Sequence, residues 1–143
     1  MPRSRYTVTA CLLVRRGERW LLSVRGAGVG YAPGRLGLIG GHVEDDDPAQ
    51  DVLEATARRE LLEETGLDLT GLPLRYVESA RFAAGEDDLQ VTVTFVADAP
   101  PGAEPSVRSA ELAEVGWWTL ADLEADARCP DWLPGLISRA AAH

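Results

Sequence analysis

Three glutamates, Glu60, Glu63 and Glu64, stand within five residues of one another in the run Arg59-Glu60-Leu61-Leu62-Glu63-Glu64-Thr65-Gly66-Leu67. Helical residues three and four apart are surface neighbours, so in a helix these acids make one cluster, spread over an arc of about 100°. Such a cluster suits a hard divalent cation such as Mg²⁺, which prefers carboxylate oxygens and keeps waters that substrate phosphates displace. The plain alternative is a solvated acidic face. The helical wheel argues against it, because Leu53, Ala57 and Leu61 recur at i, i+4 and i+8 as a core-facing stripe and Glu60 and Glu64 project into the same sector. Acids placed there repel one another and resist desolvation unless a cation or strong donors compensate. On the same wheel Arg59 points away from the cluster, which assigns it to bracing rather than to substrate.

The surrounding elements must deliver a backbone turn and a sheet to these acids. Tyr6 to Val14 and Arg19 to Val24 are apolar, β-rich runs separated by Arg15-Arg16-Gly17-Glu18, a hairpin pattern. Arg25 to Gly34 holds four glycines and a proline and reads as a loop. Leu36 to Ile39 reads as a short strand leading to Gly40-Gly41. Asp47-Pro48-Ala49-Gln50 offers an N-cap acid, a proline at the first helical position and a glutamine at N3, so a helix is predicted to start there. Gly66 ends it as a C′ residue. Leu74 to Phe82 and Leu89 to Ala97, joined by Gly85-Glu86-Asp87-Asp88, predict an antiparallel hairpin. Beyond the loop Ala99 to Pro105 come a short strand at Trp117-Trp118, a helix near Ala121 to Ala127 and a last helix around Trp132 to Ala142. Strands on one side of a long helix, with another helix at the end, predict an α/β sandwich with a mixed sheet.

Composition narrows the function. A chain of 143 residues is sized for one domain with its own core, spanning 1–143. A net charge of −9 repels a nucleic-acid backbone, and no basic stripe interleaved with aromatics offsets it. All 14 cationic side chains are arginine, which removes Schiff-base, P-loop lysine and Ser-Lys chemistry. Phosphate recognition then falls to arginine, backbone N–H groups or metal. Cys11 and Cys129 match neither a CxxC nor a zinc spacing and read as free thiols of a reducing cytosol. The apolar run Thr9 to Val14 is too short to span a membrane, so a cytoplasmic protein without membrane or nucleic-acid partners is expected.

The segment Gly40 to Leu67 resembles the Nudix hydrolase pattern G-x5-E-x7-R-E-U-x-E-E-x-G-U, with U bulky and aliphatic. Arg59, Glu60, Leu61, Glu63, Glu64, Gly66 and Leu67 all match its second half. The first half departs from it. Counting on from Gly41 reaches Asp47, counting back from Arg59 reaches Asp51, and the two miss each other by four residues, about one helical turn. An insertion of Pro48-Ala49-Gln50-Asp51 that lengthens the helix at its start accounts for this and keeps the acids in register. Asp47 and Asp51 therefore compete for the place of the first motif glutamate, which in the family braces the loop against the motif arginine.

The resemblance implies an α/β/α sandwich and hydrolysis of a diphosphate bond in a nucleoside diphosphate linked to another moiety, with Mg²⁺, or Mn²⁺ in its place. By analogy Glu60, Glu63 and Glu64 are metal ligands and the Gly40 carbonyl is a fourth. The general base is one of the three or an outside acid, for which Glu111 is the candidate. Gly41 and Glu44 support the loop. Arg25, Arg35, Tyr31 and His42 are substrate candidates, and Tyr31, Phe82 and Trp132 are candidates for stacking on a base. The resemblance also leaves open a homodimer and, as another class, a nucleotide sensor of the same fold that has lost hydrolysis. An isoprenoid diphosphate isomerase is disfavoured because neither cysteine lies near the motif in sequence.

Overall fold

A computed structural model describes residues 3–30 and 32–143. The elements run β1 (Thr7–Arg16), β2 (Arg19–Arg25), β3 (Leu36–Gly37), β4 (Ile39–His42), α1 (Val52–Thr65), β5 (Arg75–Gly85), β6 (Asp88–Asp98), β7 (Leu112–Trp118), α2 (Leu120–Ala125) and α3 (Leu133–Ala140). The first hairpin turns at Gly17, whose φ of 58° suits a residue without a Cβ. Strand order is β3-β2-β1-β6-β5, with β4 added on β1 and β7 on β2. The β1–β6 pair is parallel and the other pairs antiparallel, so the sheet is mixed.

Alternation along the strands divides the apolar residues between two layers. Ala10, Leu12 and Val14 of β1 join Val93, Phe95 and Ala97 of β6 in a core that also takes Ala57 and Leu61 of α1. On the opposite face Leu13, Leu22 and Val96 pack with Leu123 of α2 and Leu133, Leu136 and Ile137 of α3. A helix layer on each face gives the α/β/α sandwich. The predicted stripe holds: Ala57 and Leu61 are fully buried, and Leu53 packs partly buried against the same core.

Two local expectations need correction. The run Leu36 to Ile39 is two strands rather than one, because the chain changes partners within it: Gly37 pairs with Ser23 of β2, whereas Ile39 pairs with Leu12 of β1. The long helix starts at Val52, not at Asp47. Its cap position is Asp51, in left-handed geometry with φ 51° and no side-chain capping bond. The insertion therefore lies in the loop and leaves the helix unlengthened. Asp47 does not cap because its carboxylate is bound elsewhere. By contrast, Thr119 and Asp122 do form a reciprocal cap at the start of α2.

At the far end of α1, Gly66 has φ 79° and donates its N–H to the Leu62 carbonyl, as expected of a C′ glycine. A Cβ at this position would also run into the Arg108 guanidinium. Gly66→Ala is expected to lower stability by about 1–2 kcal/mol, read as a reduced urea midpoint at unchanged slope. An unchanged midpoint would show that neither constraint acts.

Candidate active site

The loop between β4 and α1 is organised by one buried carboxylate. Asp47 is only 3% exposed in its side chain. Its Oδ1 accepts from Arg59 Nε at 2.8 Å, and its Oδ2 accepts from Arg59 Nη2 at 3.0 Å and from the Glu44 N–H at 2.8 Å. The Thr56 hydroxyl lies 3.0 Å from the same oxygen. The forked contact with Arg59 holds the Asp47 carboxyl well below the usual carboxylate range. Asp51 is exposed and takes no part.

Arg59 also turns toward the acid cluster, which corrects the helical-wheel expectation. Its Nη1 donates to Glu60 Oε1 at 2.9 Å and to Glu63 Oε2 at 3.3 Å, lies 3.7 Å from Glu44 Oε1, and its Nη2 donates to the His42 carbonyl at 3.0 Å. The wheel places only the Cβ; a flexible arginine stem reaches across the turn to its i+4 neighbour. Bracing and charge balance are thus joined in one guanidinium.

Glu64 is the most enclosed of the three acids, 8% exposed. Burial and the neighbouring charge of Glu60 push its carboxyl up to about 8, against a hydrogen bond from the Gly40 backbone. Burial likewise raises Glu60, opposed by Arg59. Glu63 is 57% exposed at its side chain and lies at the mouth. The ladder explains the Gly40 bond. Val43 donates to Val8 across β4–β1, hydrogen-bonded pairs alternate along an antiparallel ladder, and Gly40, opposite Cys11, falls between them. Its N–H and C=O therefore point away from β1, toward the α1 acids. Gly41 has a steric role, because a Cβ there would land on the Glu60 carboxylate.

Glu44, Glu60, Glu63, Glu64 and Glu111 line a cleft of about 320 Å³ with Arg108 and Ser109. Glu111, just before β7, is thereby brought to the cluster. Arg25, Arg35 and His42 line an adjoining cavity that also reaches Glu60 and Glu64. Arg35 meanwhile donates to the Ala127 carbonyl at 3.4 Å. Tyr31 lies outside the described residues. Sequence reasoning missed Arg108 and Ser109, which sit in an aperiodic segment. Their signal is tertiary: the Ser106 and Arg108 N–H groups cap the Thr65 and Glu64 carbonyls at the end of α1. Cys11 is also near the motif in space, though not in sequence, but burial pushes its thiol up to about 12 and leaves no thiolate nucleophile.

Among the described residues, no three carboxylate, imidazole or thiol side chains are already gathered around a common metal position. The donor chemistry still fits a hard cation. The lining groups are carboxylates, two of them are driven toward the neutral form by burial, and the Gly40 carbonyl faces them. Among the described residues no helix is long and apolar enough to cross a membrane.

A family model described as the NUDIX domain matches residues 4–136. No curated protein matches the chain. Among solved structures, the chain is similar to the MutT protein from Methanosarcina mazei Go1, at 20% identity and TM-score 0.77, covering 99% of this chain and 97% of that one. It is similar to the NUDIX domain of Shewanella oneidensis NrtR, complexed with ADP ribose, at 25% identity and TM-score 0.73, covering 99% and 89%. It is also similar to a bifunctional NMN adenylyltransferase/ADP ribose pyrophosphatase from Francisella tularensis, complexed with AMP and a Mn ion, at 20% identity and TM-score 0.67. That match covers 90% of this chain and 38% of the other.

Two stability measurements test this geometry. Asp47→Ala is expected to cost about 2–3 kcal/mol in denaturant unfolding, whereas Asp51→Gly, at a positive φ, changes stability by less than about 0.5 kcal/mol. A lowered carboxyl stabilises the fold above its unfolded pKa and loses that contribution as pH falls, so the wild type should lose more stability than Asp47→Ala below about pH 4. For Glu64 the sign is opposite. A raised carboxyl costs stability as pH climbs from 4.5 toward about 8. In chelator at pH 8, Glu64→Gln is therefore expected to melt about 5 °C above the wild type, and an equal or lower Tm would refute the burial argument.

Proposed function

We propose, for a chain that belongs to the Nudix family and is a Nudix-type pyrophosphohydrolase, that the α1 acids hold Mg²⁺, with Mn²⁺ able to replace it, and serve hydrolysis of a diphosphate bond in a nucleoside diphosphate linked to another moiety. The observation that carries this is the pairing of Glu60 and Glu64 on one helical turn, both desolvated, with the Arg59 guanidinium on Glu60 offsetting its burial only in part. Two carboxylates held that way have little use in a merely solvated surface and a clear one under a divalent cation. The ADP ribose bound by the NrtR domain and the AMP and Mn ion bound by the Francisella enzyme support a nucleotide substrate and a divalent metal.

In this reading Glu60, Glu63, Glu64 and the Gly40 carbonyl hold the cation, and Glu111 faces it from the β7 side. When bound, the cation polarises the phosphoryl oxygens and lowers the pKa of water. A carboxylate of the cluster takes the proton of the attacking water, for which the exposed Glu63 and Glu111 are best placed. The water oxygen bonds to phosphorus as the bridging P–O bond breaks, and the leaving phosphate carries the released electron pair. Arg59 and Asp47 keep the Gly40-Gly41 backbone and Glu44 at fixed distances from the helix. Arg25, Arg35 and His42 take the substrate phosphates, with Arg35 leaving its contact with the Ala127 carbonyl to do so.

A second reading, a nucleotide sensor without turnover, draws on one observation: Arg59 already bonds Glu60 and Glu63 and so competes with a cation for them. A panel of nucleoside triphosphates, sugar nucleotides and ADP-ribose, incubated with Mg²⁺ in ¹⁸O-labelled water, separates the two. Hydrolysis with label in one product phosphate, abolished by chelator and lowered about a hundredfold or more in Glu64→Gln, is the expected result. Full activity of Glu64→Gln would sink the ligand assignment. Calorimetric nucleotide binding with no product after long incubation would favour the sensor.

A further inference from the structure

The acid cleft has a wall that neither the glycine pair nor the Arg25 loop supplies. Residues 106–111 run as a strap between the end of α1 and the loop after β2. At one end the Ser106 and Arg108 N–H groups donate to the Thr65 and Glu64 carbonyls at 3.0 and 2.9 Å, and at the other the Glu111 carbonyl accepts from the Gly26 N–H at 2.8 Å. Between them the Ser109 hydroxyl accepts from the Glu111 N–H at 3.2 Å. Held in this way, the strap sets Arg108 in the cleft with Glu44, Glu60, Glu63, Glu64 and Glu111, and among the described residues lining that cleft no other side chain is cationic.

A guanidinium in a cleft lined by five carboxylates is expected to pair with one of them. Arg108 pairs with none among the described residues. Its Nε donates to the Ser106 hydroxyl at 3.4 Å, and its Nε, Cζ and Nη2 lie so close over Gly66 that a Cβ there would meet them. The plain reading is a helix cap, since α1 carries no basic residue in its own last turn and a cation suits a helix C-terminus. The hydrogen bonds limit that reading. The Leu62, Glu64 and Thr65 carbonyls already accept from the backbone N–H groups of Gly66, Arg108 and Ser106, so those carbonyls leave the guanidinium fork unclaimed. On the other side, Arg25 and Arg35 line the adjoining cavity, which shares Glu44, Glu60, Glu64 and Glu111 with the cleft but does not include Arg108. The acids thus lie between two separate sources of positive charge.

We propose that Arg108 is a phosphate-binding residue, which grips the outermost phosphate of the substrate in the cleft that Arg25 and Arg35 do not line and thereby favours three linked phosphates over two. The assignment rests on the hydrolase reading for the position of the chain, one phosphate at the cation held by the α1 acids and its neighbours to either side. A planar fork binds a phosphate through two parallel bonds, which a carboxylate cluster already occupied by a cation no longer contests. The seat on Gly66 and the anchored strap hold the stem in place beforehand, so little side-chain freedom is lost when the phosphate arrives. A chain of two phosphates is served by the cation and the Arg25 side alone, whereas a third reaches Arg108.

The test uses the full chain with Mg²⁺ and calorimetry on two probes that cannot be hydrolysed, methylenediphosphonate and bis(methylene)triphosphonate. Arg108→Gln keeps the stem over Gly66 and removes the charge. It is expected to weaken the triphosphonate about tenfold or more and the diphosphonate by less than about threefold, with Arg108→Lys between it and the wild type. Arg19→Ala, an exposed arginine at the hairpin end of β2, controls for net charge and should shift either probe by less than about twofold. Triphosphonate affinity unchanged in Arg108→Gln, with or without a lowered Tm, would show that the residue only packs the end of α1 and would overturn the proposal. So would an equal loss for both probes, a loss matched by Arg19→Ala, or a wild type that binds neither. Arg108-dependent binding of the triphosphonate in a protein that hydrolyses no diphosphate sinks the hydrolase reading and leaves the phosphate site standing. Hydrolysis with an indifferent Arg108→Gln does the reverse.

Discussion

The site depends on a single guanidinium shared between a loop and a helix. Arg59 spends two of its nitrogens on Asp47 and the His42 carbonyl, which fixes where the chain runs between β4 and α1, and its remaining nitrogen on Glu60 and Glu63. Arginine suits this because its planar fork binds a carboxylate through two parallel bonds while keeping its charge at any accessible pH. A lysine would offer a point charge and lose the angular definition. The distances between the glycine backbone and the acids are consequently set by one side chain whose own geometry is held from both sides.

Glycine pairing then determines what the helix can present. Gly40 turns its peptide groups outward because it sits between hydrogen-bonded pairs of the β4–β1 ladder, and Gly41 leaves room for the Glu60 carboxylate against the backbone. A Cβ at Gly41 would displace the Glu60 carboxylate, and one at Gly40 would run into Ala10 and Cys11 of β1. Helix and strand can approach this closely because the apolar stripe of α1, ending at Leu61, is already anchored in the core beneath. Tight packing at the base thus permits like charges at the rim, where their mutual repulsion is balanced in part by Arg59.

Much of this was legible in the chain itself. The run Arg59 to Leu67 is contiguous, so its periodicity reports burial and its spacing reports the cluster; the mixed sheet and the flanking helices followed from hydrophobic alternation. What was not legible is tertiary. The Asp47-Pro48 dipeptide carries every local mark of a helix start, yet the carboxylate forms a stronger, charge-assisted contact with a residue twelve positions on, and the helix begins a turn later. The reach of Arg59, the approach of Arg108 to Gly66 and the adjacency of Cys11 to Gly40 likewise arise between segments that no local pattern connects. Asp47 and Asp51 could not be separated by counting because the count assumes a fixed loop length, and the insertion changes the loop alone.

The buried thiol next to the glycine pair has a chemical corollary. Burial and the nearby charges of Glu64 and Glu60 push the Cys11 thiol up to about 12, which disfavours the anion, the form that peroxides and electrophiles attack. A sulfur atom beside the α1 acids is therefore shielded from sulfenylation and alkylation by the same desolvation that raises its acidic neighbours. Oxidative stress that inactivates enzymes through exposed cysteines should find no handle at this position.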